Sequence, residues 1–228
     1  MKYLAIGNNA KTVKSDAGGE YLTAIMYLRP NDNICPMSTL AQCRAPCLNT
    51  AGRGAMSTIQ EARQRKTDAF ERDPQEFMVQ PADDIRKAQR KAQRKGVLLA
   101  VRLNGTSDIA WENVRIDGRN LMELFPEVQF YDYTKLPGRK TPANYYLAVS
   151  YSGANKAYAK KVLRSPLAKA VVFHTVPATW NGQAVINGDA NDLIFKHPKG
   201  AIIGLKAKGK ARQDTSGFVV NADILATA

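Results

Sequence analysis

The chain has 228 residues, 44% of them hydrophobic and 23% charged, with a formal net charge of +13. That length builds one sizeable core without a disulfide or metal to hold it, and the composition excludes a disordered chain. Three cysteines, an odd number, exclude a disulfide scaffold, and no apolar stretch reaches the length of a membrane span.

The opening run MKYLAIGNNAKTVKSD turns polar too early for a secretory leader, which predicts a cytosolic chain whose thiols stay free. Tyr21 to Arg29 is rich in strand formers and is stopped by Pro30, Asn31 and Asp32. A loop over 31–54 then carries all three cysteines and closes on the flexible turn NTAGRG. Ser57 predicts the N-cap of a helix running to about Arg72. A second helix is predicted over Ala82 to Lys95, with Asp83 and Asp84 in its first turn, Arg94 and Lys95 in its last, and Gly96 as its stop. The segment 57–95 is thus a helical insertion, and its basic second helix leaves only Ile85, Ala88 and Ala92 for burial.

Strands and helices alternate from there. Strands are predicted over Val97 to Leu103, Phe130 to Tyr133, Tyr145 to Tyr151, Lys169 to His174 and Ala201 to Leu205. Helices fall around Asn120 to Phe125 and Asn155 to Leu163. The alternation predicts a single α/β domain over 1–228, built of parallel βα repeats with six to eight strands. That number leans towards a partial or abbreviated TIM-like barrel.

The chemistry concentrates in the run CPMSTLAQCRAPC, from Cys35 to Cys47. Thiols this close, on a proline-bearing loop after a strand, can converge on one inorganic centre, which would hold them as thiolates. Zinc wants four ligands at shorter spacing, and only Cys43 and Cys47 meet it. A 4Fe-4S iron–sulfur cluster on Cys35, Cys43 and Cys47 fits better, with one iron left open to a small molecule. Zinc remains the alternative cofactor. A metal-free catalytic thiol, Cys43 beside Arg44, is a third reading.

The run NICPMSTLAQCRAPCLNTAGRG, with YLTAIMYLRP and IGNNAKT before it and VRLNGTSDIAWE, FYDYTK and YYLAVSYSGAN after it, resembles the gene product 88 family of bacteriophage proteins. The resemblance covers most of the chain. It implies a viral origin, the cytoplasm of an infected bacterial host and a cysteine-rich loop, but no particular reaction. A looser likeness runs to radical S-adenosylmethionine enzymes, which carry three cysteines after the first strand of a partial barrel. Here the cysteines are more widely spaced and no Gly-Glu motif for the methionine part of that cofactor is present.

A barrel-like fold would turn its strand ends towards the cysteines. Those ends carry Arg102, Asn104, Thr106 and Asp108, then Asp132, Thr134 and Lys135, then Ser150 and Ser152, and finally His174 and Thr175. The principal pocket candidates are Arg102, Asn104, Asp108, Asp132, Lys135, Ser152 and His174, facing a small molecule or a redox partner. Each has a plain structural alternative as a cap, a turn residue or a hydrogen-bonded core group. No Ser-His-Asp order, close carboxylate pair, GxGxxG or P-loop is present.

Positive charge gathers in two places. Arg86, Lys87, Arg90, Lys91, Arg94 and Lys95 lie on the second helix. Lys196, Lys199, Lys206, Lys208, Lys210 and Arg212 surround the last strand. Neither interleaves aromatic residues, so either would bind nucleic acid through backbone charge alone, or serve as a solvated face. The leading expectation is a phage iron–sulfur protein, a redox or radical-type enzyme with an open iron site; its rival is a nucleic-acid-binding phage protein with structural zinc or no metal.

Overall fold

In the structure, a computed structural model, residues 2–7 and 10–222 are described; Asn8 and Asn9 of the amino-terminal run lie outside them. The chain opens with β1 (Leu4–Ile6), α1 (Ala10–Asp16) and β2 (Tyr21–Met26). The cysteine loop leads into α2 (Ser57–Arg72) and α3 (Pro74–Arg94). Then come β3 (Leu98–Arg102), α4 (Leu121–Leu124), β4 (Gln129–Thr134), β5 (Tyr145–Ser150), α5 (Lys156–Leu163) and β6 (Ala168–Phe173). A hairpin of β7 (Thr179–Trp180) and β8 (Gln183–Asn187) precedes β9 (Ile202–Lys206).

Among the described residues these strands form one sheet of nine, in the order β1-β2-β3-β4-β5-β6-β9-β8-β7. The run from β2 through β9 is parallel throughout, and β8 joins β9 in parallel. β1 and β7 pair antiparallel at the two ends. The expected βα repeats are present, but the sheet is open and not a closed barrel, because β1 and β7 each end it.

Period-two alternation sorts the strand residues into two faces. Val101, Phe130 and Leu147 pack with Ile85, Ala88, Ala92, Leu121 and Met122 of α3 and α4 into the largest cluster of the core. The other face carries Ala100, Tyr131, Ala148, Ala168 and Ile203, covered by Leu193 and Ile194 from the loop between β8 and β9. One step of alternation further along this face, Arg102, Tyr133, Ser150, Ala170 and Leu205 line the cavity described below.

Two boundaries differ from expectation for identifiable reasons. α3 begins at Pro74 and not at Ala82. Asp73 caps it by accepting from Gln75 N–H and Glu76 N–H at 3.0 Å each, and Pro74 sits in its first turn. Pro81 therefore lies inside the helix, where Phe77, Met78 and Ala82 are buried around it and packing outweighs a penalty of about 3 kcal/mol. Ser57 is the first residue of α2 and not its cap; the capping position is Met56, without a side-chain bond.

The segment after β9 returns to the sheet. Gly153 N–H donates to Gly217 O, His174 N–H to Val220 O and Val220 N–H to Val172 O. This lays residues 217–220 across the carboxyl ends of β5 and β6. No helix among the described residues is long and apolar enough to cross a membrane.

Candidate functional site

The cysteine loop is a series of tight turns pinned at both flanks. Asn31 Oδ1 accepts from Asn33 and Ile34 N–H, and buried Ile34 anchors the start. Asp108 N–H donates to Ile34 O at 2.8 Å, and the Ser152 hydroxyl donates to Ala41 O at 2.8 Å. Arg44 crosses the loop to Asp32 and the Ser38 hydroxyl at 2.6 and 2.7 Å. Asn49 fixes the exit by bonding Gln60 and Arg63 of α2. A loop held this way presents its side chains in one arrangement.

Cys35, Cys43 and Cys47 line a single cavity of about 190 Å³ at the carboxyl ends of the parallel strands. Facing them are Arg102 from β3, Tyr133 and Thr134 from β4 with Lys135 beyond it, Ser150 from β5 and Phe218 from the returning segment. Gly105 lines it as well, and needs its missing side chain: a Cβ there would sit 2.4 Å from Met26 O. The close approach of the β3 exit to the β2 exit brings the cysteine loop over the strand ends.

The electrostatics of the thiols follow from their cover. Burial pushes Cys35 up to about 12, reinforced by Asp108 and by the other two thiols. Burial also raises Cys47, against which Asn49 N–H donates to Sγ at 3.4 Å and Lys135 and Arg63 add positive charge. Lys135 Nζ lies 2.6 Å from Ser150 Oγ and 4.9 Å from the Phe218 ring centre, so an ammonium reaches the cavity wall. Among the described residues, no three or more His, Cys, Asp and Glu side chains are arranged to hold a single metal ion. The sulfurs share a cavity without closing on one point.

Of the seven pocket candidates, Arg102, Asn104, Asp108 and Lys135 line this cavity. Three of the four are committed elsewhere. Asn104 Oδ1 accepts from Ser107 Oγ, Ile109 N–H and Trp111 Nε1–H, shaping its own loop. Asp108 accepts from the Thr134 hydroxyl and Lys135 N–H, which locks the end of β4. Arg102 donates from Nη1 to both oxygens of Asp192 at 3.0 and 2.8 Å. Lys135 is the cation left to the cavity.

Asp132, Ser152 and His174 do not line it. Ser152 acts one step back, through Ala41. His174 follows β6, and its backbone N–H takes part in the returning segment. Asp132 is fully buried on the helix-covered face, accepting from Asn104 N–H and the Tyr145 hydroxyl at 2.8 Å each. Sequence reasoning missed Tyr133, whose buried hydroxyl has no hydrogen-bond partner, and Asp192. Tyr133 was readable by alternation from Tyr131 along β4; Asp192 carries no local signal.

Asp132 gives the fold a pH dependence. Burial pushes its carboxyl up to about 7, Arg102 notwithstanding, against an ordinary value near 3.8. The fold prefers the neutral acid, so this stabilisation is complete below about pH 4 and is lost as pH rises through about 7. Asp132→Asn keeps an acceptor for Asn104 N–H and offers the Tyr145 oxygen a donor. Thermal unfolding from pH 5 to 8 is expected to show the wild type losing on the order of 1–3 kcal/mol relative to this variant. Parallel curves would show that Asp132 does not titrate there.

On α3, Ile85, Ala88 and Ala92 are buried as expected, and Arg86 pairs with Asp83 at 2.7 Å and lies over the Phe125 ring. Around β9, Lys196 pairs with Glu20 and Lys208 with Asp189. No curated protein and no solved structure matches the chain significantly. The sequence model described as "Gene product 88" matches residues 2–222, nearly the whole chain and the whole of the sheet and cavity. The protein therefore belongs to the gene product 88 family of bacteriophage proteins.

Proposed function

We propose that this is an iron–sulfur protein of the infected host's cytoplasm, its cluster held by Cys35, Cys43 and Cys47. The observation that carries the reading is that all the cysteines of the chain line one cavity at the carboxyl ends of the strands. The consecutive parallel order β2-β3-β4-β5-β6 followed by β9 supports an open-barrel reading, and the carboxyl end of the strands is where such folds keep their chemistry. The donor set fits a cluster better than a single zinc ion, which needs sulfurs about 2.3 Å from one centre. A 4Fe-4S cluster spreads its ligands over separate irons and with three thiolates leaves one iron open.

Bound there, the cluster would supply one-electron chemistry and an open coordination position. The chain's own groups do the rest. Lys135 offsets thiolate charge, the Tyr133 hydroxyl offers a buried hydrogen bond, and Phe218 with Leu205 keeps water from one wall. The Cys35 proton, held tightly by burial, must leave when metal binds, so loading releases protons.

The test is metal and sulfide analysis of protein purified without oxygen. About four iron and four sulfide per chain, with a brown colour, are expected. Colourless protein carrying one zinc, or no metal after reconstitution with iron and sulfide, overturns the proposal.

A further inference from the structure

A second concave site lies at the β1 end of the sheet, on the helix-covered side and apart from the cysteines. Between edge strand β1 and α3 runs a groove of about 200 Å³. Leu4 and Ile6 form its apolar part, and Lys2, Lys87, Lys91 and Arg94 its cationic part. Two elements far apart in sequence thus contribute cations to one depression. Among the described residues, none of these four has a carboxylate within ion-pair distance.

The carboxylate that does face the groove is already used. Asp84 is 2% exposed; its Oδ2 accepts from Tyr3 N–H at 2.6 Å and Leu4 N–H at 3.1 Å, and its Oδ1 from Gln80 at 3.0 Å. Those bonds fasten β1 to α3 and also occupy the amide of Leu4, the first residue of the edge strand, and that of Tyr3 just before it. A peptide adding to the sheet would need such amides, so that mode of docking is blocked here. What the groove offers a visitor is positive charge along a line.

We propose that this groove binds the sugar–phosphate backbone of nucleic acid. Lys87, Lys91 and Arg94 stand on one side of α3, and a rise of 1.5 Å per residue spaces them over roughly 10 Å, the axial length of about three nucleotides at 3.4 Å each. A row of separate cations matches a string of phosphates better than a single anion. No aromatic ring lines the groove, so bases are neither stacked nor read, and binding is independent of sequence. Arg86, held by Asp83, and Arg90 and Lys95, which do not line the groove, are outside the site. The proposal does not rest on the cluster.

The test is fluorescence anisotropy of a short labelled DNA strand of mixed sequence, titrated with the full chain over a range of NaCl. Neutralising four phosphates on a single strand predicts a log–log salt slope of roughly −3. The charge reversal Lys87→Glu, Lys91→Glu, Arg94→Glu is expected to weaken binding at least tenfold and to flatten the slope by about 2. The matched reversal Lys199→Glu, Lys206→Glu, Lys210→Glu, on the other basic region, is expected to change it about twofold or less. Equal losses in both triple variants would mean net charge alone is at work and would overturn the groove. So would an unchanged first variant, or equally tight binding of polyglutamate. If the reversal unfolds the chain, the Gln triple at positions 87, 91 and 94 replaces it, with a smaller loss of the same sign.

Discussion

Alanine at Cys35, Cys43 or Cys47, each changed singly, is expected to leave a folded, colourless protein whose iron and sulfide fall well below stoichiometry. The fold does not depend on these sulfurs. Cys35 packs against the main core, and Cys43 touches the small clusters around Ala41, Tyr158, Ala207 and Phe218, but all three are only part-buried. Removing one sulfur costs about 1 kcal/mol of packing in such places, too little to unfold a chain of this size. A cluster with three protein ligands has no reserve, so the loss of any one should empty the site. The measurement is iron and sulfide per chain beside thermal unfolding of the metal-free proteins. A variant that retains full iron and sulfide would remove its cysteine from the ligand set. Retention by all three would remove the proposal.

The largest loss of stability is expected from Arg102→Ala. Arg102 and Asp192 are both nearly sealed, with side chains 6% and 4% exposed, and the Arg102 guanidinium also lies over the Tyr133 ring. Asp192 receives the Tyr131 hydroxyl at 3.4 Å, and its backbone N–H donates to Ser15 of α1. The pair therefore ties β3, β4, α1 and the loop before β9 into one unit. Deleting the arginine removes the guanidinium that faces two buried carboxylates, Asp192 and Asp132, at a cost of about 3–5 kcal/mol. For a chain of this length that is a fall in Tm of roughly 10 °C. The double change Arg102→Met, Asp192→Leu removes both charges together and should recover most of the loss. A single variant that melts with the wild type would contradict this account of the pair.

How far the sequence carried the reading is clear from particular residues. The span of α2, the burial of Ile85, Ala88 and Ala92, and the gathering of the three cysteines in one loop were legible, because each is a local pattern. α3 was cut short because Asp83 and Asp84 read as its first turn, whereas the true start is set by Asp73 and Pro74. Ser152 and Asp132 were legible as polar groups near strand ends but not as supports. Whether such a group faces a cavity or holds a loop depends on partners such as Ala41 and Asn104. Asp192 was invisible: its partner lies 90 positions away, and nothing near it marks a buried carboxylate. The antiparallel ends of the sheet were missed as well, since β1 and β7 are only 3 and 2 residues long.

The returning segment at 217–220 has a consequence for how the protein is made. Phe218, which lines one wall of the thiol cavity, lies 183 residues after Cys35 and 171 after Cys47, so that wall is made well after the thiols themselves. Until residues 217–220 fold back onto the strand ends, the cavity beside Cys43 lacks that wall.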